Sequence, residues 1–219
     1  MTVNIRLKNI INKSESIRQT ILKDKLLSES LNSKYIHIPK PYLGRGKIKL
    51  IIIGSDPGPC LEGPIIKTVM NLDRKGTIHY NYISGILKGL HLKFDNLYAT
   101  NYYKCIFSKG DFRLKSAVQF KYWLELLKEE INNYPHAAII SSSELLNSFF
   151  ITKGATKLVY YWDYIGANDS GLEFKYIEAK NNILNRNIYP FPHYRTYLQS
   201  VFYVHYLDNY LEWMRKIAF

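Results

Sequence analysis

The chain is short of cysteine, of acid and of long apolar runs. Among its 219 residues only Cys60 and Cys105 carry thiols. Two thiols alone cannot complete a structural zinc site or a four-thiolate iron–sulfur site. A reduced, cytoplasmic protein is the simpler expectation. No apolar run approaches the ~20 residues that span a bilayer, so no membrane span is expected. The opening stretch, MTVNIRLKNIINKSESIRQ, has no apolar centre and does not read as a secretory signal. Also missing are the G-x-G-x-x-G fingerprint of dinucleotide sites, the G-K-[ST] of a phosphate-binding P-loop, and any internal repeat. Acids are outnumbered, 18 Asp and Glu against 30 Lys and Arg, for a net charge of +12. Such an excess favours a polyanionic partner, most commonly nucleic acid.

What is present alternates. Ser14–Asn32 has helical spacing, with Ile17, Ile21, Leu22 and Leu26 on one side. A link rich in proline and glycine, IPKPYLGRGK, leads into Ile48–Ile53, whose continuous apolar character predicts a strand buried on both faces. Asn96–Thr100 and Ala137–Ser141 read as further strands. So do TKLVYYW, LEFKYIE and NRNIYPF. Helices are expected at YISGILKGLHL, Ser116–Asn132, Glu144–Phe150 after a serine cap, and Leu198–Ile217 with Val204, Leu207, Leu211 and Met214 on one face. This alternation predicts a three-layer α/β/α sandwich around a mostly parallel sheet. Two regions are expected: an N-terminal helical extension and linker over 1–46, separable by composition, and one α/β domain over 47–219.

Open α/β sheets put their sites just beyond the carboxyl ends of the strands, and three polar motifs fall there. In GSDPGP, Pro57 and Pro59 stiffen a turn that holds Asp56 at a strand end. The alternative is a turn in which Asp56 only caps a helix. Asn101 follows the second strand in LYATNYYKC; its amide offers a donor and an acceptor and fits the edge of a pyrimidine, or it bonds its own backbone. His193, in YPFPHYRTYLQS, either donates to a developing anion or packs among Tyr189, Phe191, Tyr194 and Tyr197.

Taken in order, these motifs resemble the uracil-DNA glycosylase superfamily from about Lys47 to the C-terminus. GSDPGP is similar to its first motif: the aspartate stands where the classical enzymes have G-Q-D-P-Y, and the PGP resembles G-M-N-P-G-P of the single-strand-selective type. GTIHYNYISGILKGLHLKFDNLYATNYYKC resembles the stretch from G-R-P-F-V-G-R-A-G-Q-L-L through T-N-V-V-K-C in the thermophilic iron–sulfur type, and HYRTY stands where H-P-S-P is usual. The resemblance implies removal of uracil or a related base from DNA, leaving an abasic site, with no metal or organic cofactor. Asp56 and His193 become the catalytic pair, Asn101 the reader of the base, and Ser55 and Gly58 part of its pocket. His79 or Tyr80 takes the place of the aromatic that stacks on the base.

The departures carry expectations too. Gly58 replaces the ring that excludes 5-substituted uracils. Arg195 adds a charge for a phosphate, and Tyr197 occupies the position of the classical intercalating leucine. The cluster cysteines are absent. Lys104 is the sole lysine within the three motifs, so hydrolysis is expected over a lysine Schiff base. A monomer acting on single- or double-stranded DNA is the expected form. The rivals are a DNA-binding member of this fold with little or no activity and an enzyme of free nucleosides or nucleotides.

Overall fold

The computed structural model describes residues 3–31, 37–57, 66–107, 112–162 and 173–219. Its frame is a five-stranded sheet in the order β1-β3-β2-β4-β5. The central strands are β2 (Leu50–Gly54), β3 (Leu97–Asn101) and β4 (Ala138–Ser141), and β5 (Ile188–Pro190) follows β4. These four run parallel, with Ile52 opposite Ala99 on one side and Ile140 on the other. Every residue of β2, β3 and β4 is buried, which explains the continuous apolar run of β2.

The edge strand β1 (Tyr42–Leu43) runs antiparallel to β3 and comes from the stretch that composition marks as linker. Right-handed crossovers set the helices. The connection β2 to β3 passes through α3 (Ile78–Gly89), and β3 to β4 crosses back past β2 through α4 (Phe112–Asn132), so the two helices take opposite faces. The helices α6 (Tyr194–Gln199) and α7 (Val201–Ala218) join α3, while α1 (Val3–Lys23) and α2 (Lys25–Ser28) pack on α4. The chain is therefore α/β with a mixed, mostly parallel sheet, compatible with a three-layer sandwich. No helix among the described residues is long and apolar enough to cross a membrane.

Several elements differ from expectation. The N-terminal helix begins at Val3 and breaks at Asp24, whose carboxylate accepts the Leu27 N–H and so caps α2. The long final helix breaks at Ser200, whose Oγ caps α7 through the Tyr203 N–H. Its buried side is Tyr203, Tyr210, Leu211 and Met214, with Val204 exposed. Neither TKLVYYW nor LEFKYIE forms a strand: the first makes a 3₁₀ turn at Leu158–Tyr160, and the second contributes one antiparallel bridge, Ile177 to Ile188. Their aromatic side chains act as packing instead. Trp162 stacks on Tyr210 at 4.2 Å and donates its indole N–H to the Pro190 carbonyl. By contrast α5 (Glu144–Phe150) starts at the expected serine, Ser143, which accepts the Leu146 N–H.

Candidate active site

The carboxyl ends of β2, β3 and β5 lead into the three polar motifs. Past β2 the parallel register continues for one residue: the Tyr102 and Tyr103 N–H groups donate to the carbonyls of Gly54 and Ser55 at 2.8 and 2.9 Å. Asp56 follows, partly buried. The Ser55 hydroxyl is buried with no hydrogen-bond partner. Gly58 and Cys60 lie outside the described residues.

Asn101 closes β3 opposite Gly54 and is almost wholly buried. A Cβ on Gly54 would stand 2.5 Å from Asn101 Oδ1 and 2.7 Å from Met70 Cε, so only glycine allows this approach. Met70 belongs to the segment that crosses the end of β3. There the backbone bends through two left-handed residues, Met70 (φ 58°) and Asn71 (φ 51°), which costs of order 1 kcal/mol each. The same segment is tied to the N-terminal stretch: Lys40 N–H donates to Lys67 O, and Val69 N–H to Lys40 O.

Alternation along β3 sends Thr100 to the opposite face from Asn101. There Lys104 and Glu130 form a buried ion pair at 2.5 Å. The ammonium also donates to Thr100 Oγ1 and to the Asn101 carbonyl, both at 2.6 Å. Glu130 accepts from Tyr98 and Thr100 hydroxyls at 2.6 and 2.7 Å. All three ammonium donors are used, and burial lowers the Lys104 pKa against the opposing pull of Glu130. Lys104 is thus a strut under the Asn101 backbone, not a free amine.

His193 caps α6, its Nδ1 accepting the Arg195 N–H at 3.3 Å. In the neutral ring this assigns the proton to Nε2, which is then the donor nitrogen. Solvent reaches the residue, yet its ring pKa is lowered to about 4, first by loss of water around the ring, then by His79 and Arg195. Tyr194 joins the group: its ring lies 4.0 Å from His79 and 4.4 Å from His193, and its hydroxyl accepts from Arg195 Nε at 2.9 Å. Burial and Arg195 lower the His79 pKa as well.

The remaining expected residues go elsewhere. Tyr80 stacks on Phe94 at 4.6 Å, next to Tyr42. Tyr197 packs against Tyr82, whose hydroxyl donates to the Pro192 carbonyl and anchors the His193 turn to α3. Of the four rings around which His193 was expected to pack, Tyr194 is the one in ring contact with it.

The structure therefore forms two groups: His79, His193 and Arg195 around the start of α6, and Gly54 and Asn101 at the ends of β2 and β3, with Asp56 following β2. Sequence reasoning did not single out Tyr194, Met70 or Glu130 as part of the site. Tyr194 had a signal, since it stands where the resembling motif carries proline. The other two had none, because their partners are distant in sequence.

Among the described residues no group of three or more His, Cys, Asp or Glu side chains is gathered to hold a metal ion. Two surface cavities are formed by described residues. One, about 430 Å³, sits at the β5 edge between Tyr160, Tyr176 and Trp213, apart from the three motifs; the other, about 370 Å³, is an apolar groove that borders the third motif, between Ile78, Tyr82, Tyr197 and Leu198. Cys105 is buried, and burial pushes its thiol up to about 12. No protein-family model matches the chain, and no curated protein matches its sequence.

Proposed function

We propose that this protein is a DNA glycosylase that hydrolyses the N-glycosidic bond of uracil or a related base, on a three-layer fold of the uracil-DNA glycosylase kind. The observation that carries the reading is the common origin of Asp56, Asn101 and His193 at the carboxyl edge of one parallel sheet, where α/β sheets build their sites. The target nucleotide leaves the stack, since its glycosidic bond is otherwise out of reach. The Asn101 amide pairs with the base edge, held in place by Gly54 and Lys104. As the bond between the sugar C1′ and the base nitrogen breaks, its electron pair leaves with the base. The neutral His193 ring donates Nε2–H to the base oxygen on which that charge gathers. Asp56 stabilises the cationic sugar and orients the water that adds to C1′, and a water proton is released. The excess positive charge of the chain suits a polymer over a free nucleoside.

A second reading, a DNA-binding protein without activity, is favoured by one observation: Tyr80 and His79 are each already in contact with another ring. One assay separates the two. The protein is incubated with uracil-containing single- and double-stranded oligonucleotides, and alkali then reveals abasic sites. The expected result is cleavage that disappears in Asp56→Asn and falls about 10²-fold in His193→Ala. Binding without release from uracil, 5-substituted uracil or hypoxanthine selects the second reading, and release from free nucleosides alone overturns both.

A further inference from the structure

The bridge between Lys40 and Thr68 ties the N-terminal stretch to the segment lying across the end of β3. Lys40 and Lys67 are both exposed there, one backbone hydrogen bond apart. From Lys67 the chain runs over Asn101 through Met70, then through Arg74 and Lys75 to Thr77, which caps α3 beside His79. Arg195 stands beside His193. Among the described residues none of these five cations is in an ion pair, and Asp73 is the acid within the same stretch.

Two lysines at the β5 edge differ: Lys175 lies 3.5 Å from Glu173 and Lys180 lies 2.7 Å from Glu178, so each has an acid beside it. Unpaired positive charge along the carboxyl edge of the sheet is what the phosphates of a strand need, because each neutralised phosphate releases condensed counterions.

We infer that Lys40 and Lys67 form a phosphate clamp that holds the nucleic-acid strand on the Asn101 side of the site, with Arg195 holding it on the His193 side. The inference rests on the proposed action on a nucleic-acid strand, but not on base release. It also gives a role to the N-terminal stretch, since Lys40 belongs to the segment preceding the first central strand. The contact is with the backbone and is independent of base identity.

The test is a salt titration of the full chain binding an undamaged single-stranded oligonucleotide, followed by fluorescence anisotropy. In the double variant Lys40→Ala with Lys67→Ala, the slope of log K against log salt is expected to fall in magnitude by about 1.4, the share of two single-strand phosphates. The control double variant Lys153→Ala with Lys157→Ala removes the same charge from exposed positions elsewhere and is expected to keep the parental slope. Equal loss in both variants reduces the effect to net charge and overturns the clamp. So does an unchanged slope in the first, or a parent that does not bind the oligonucleotide. Matching melting temperatures exclude misfolding as the cause. If the parent releases uracil and the slope is unchanged, the clamp fails while the glycosylase reading stands. If the slope falls and no base is ever released, the clamp stands and the glycosylase reading fails.

Discussion

The two sides of the candidate site are built by different physics. On the Asn101 side the end of β3 is buried, and its backbone is tied to a buried ion pair. The Asn101 side chain closes on Gly54, and the residue's backbone carbonyl is held by an ammonium that Glu130 neutralises. On the His193 side a short helix at the surface is held by ring contacts with Tyr194 and His79 and by the bond from Tyr82 to Pro192. A buried charge network is costly to break by half, because the surviving charge has no water. A solvent-facing cap tolerates change and tunes protonation instead. The first side should respond to mutation in stability, the second in the acid–base behaviour of the ring.

The sharpest way to break this contrast is Glu130→Ala. It strands the Lys104 ammonium and removes the acceptor of Tyr98 and Thr100, so a loss of about 3–5 kcal/mol is expected in urea denaturation. A loss below about 1 kcal/mol would mean that the pair is not the strut described. Gly54→Ala comes next. Its methyl group meets Asn101 Oδ1 and Met70 Cε, with an expected cost of about 1–3 kcal/mol and a rise in KM as the amide is displaced. Unchanged stability and KM would show that the site is loose where the packing says it is tight.

The smallest expected effect is on the His193 side. The ring pKa is depressed, so the neutral form that donates Nε2–H persists through neutral pH and is lost as pH falls through about 4. The sign for stability is the same: the contribution is present above the ordinary histidine value of about 6.5 and disappears as pH falls through the depressed one. Replacing His79 by Asn and Arg195 by Gln removes the two charges that add to the larger effect of desolvation in holding the value down. The acid limb of kcat/KM should then move upward towards pH 6.5, with little change in stability. An acid limb that stays put would separate His193 from the rate.

The legibility of the fold follows burial. The strand β2 was readable because burial on both faces favours an unbroken apolar run, and α5 because a serine cap is a local signal, whereas β3 and β4 also bury Thr100, Asn101 and Ser141. The inner face of α4 was harder to read. Its buried side includes Gln119 and Glu130, which look solvent-facing until Ser30 and Lys104 arrive as partners from elsewhere in the chain. Val118, although apolar, is exposed. The stretches TKLVYYW and LEFKYIE misled for a related reason: aromatic residues favour strands, but here they fill space around Trp162, Tyr210 and Trp213.

The order of residues was enough to set the alternation of elements, the apolar strands, the polar motif after each of three of them, and the surplus of basic charge. All of these depend on residues close together in the chain. Folding in three dimensions determined which cations are left unpaired, that Lys104 is a buried strut, which nitrogen of His193 carries the proton, and that Tyr80 turns to Phe94 while His79 turns to Tyr194. Each of those outcomes depends on a partner brought in by folding, and a charge, tautomer or ring contact has no meaning until that partner is in place.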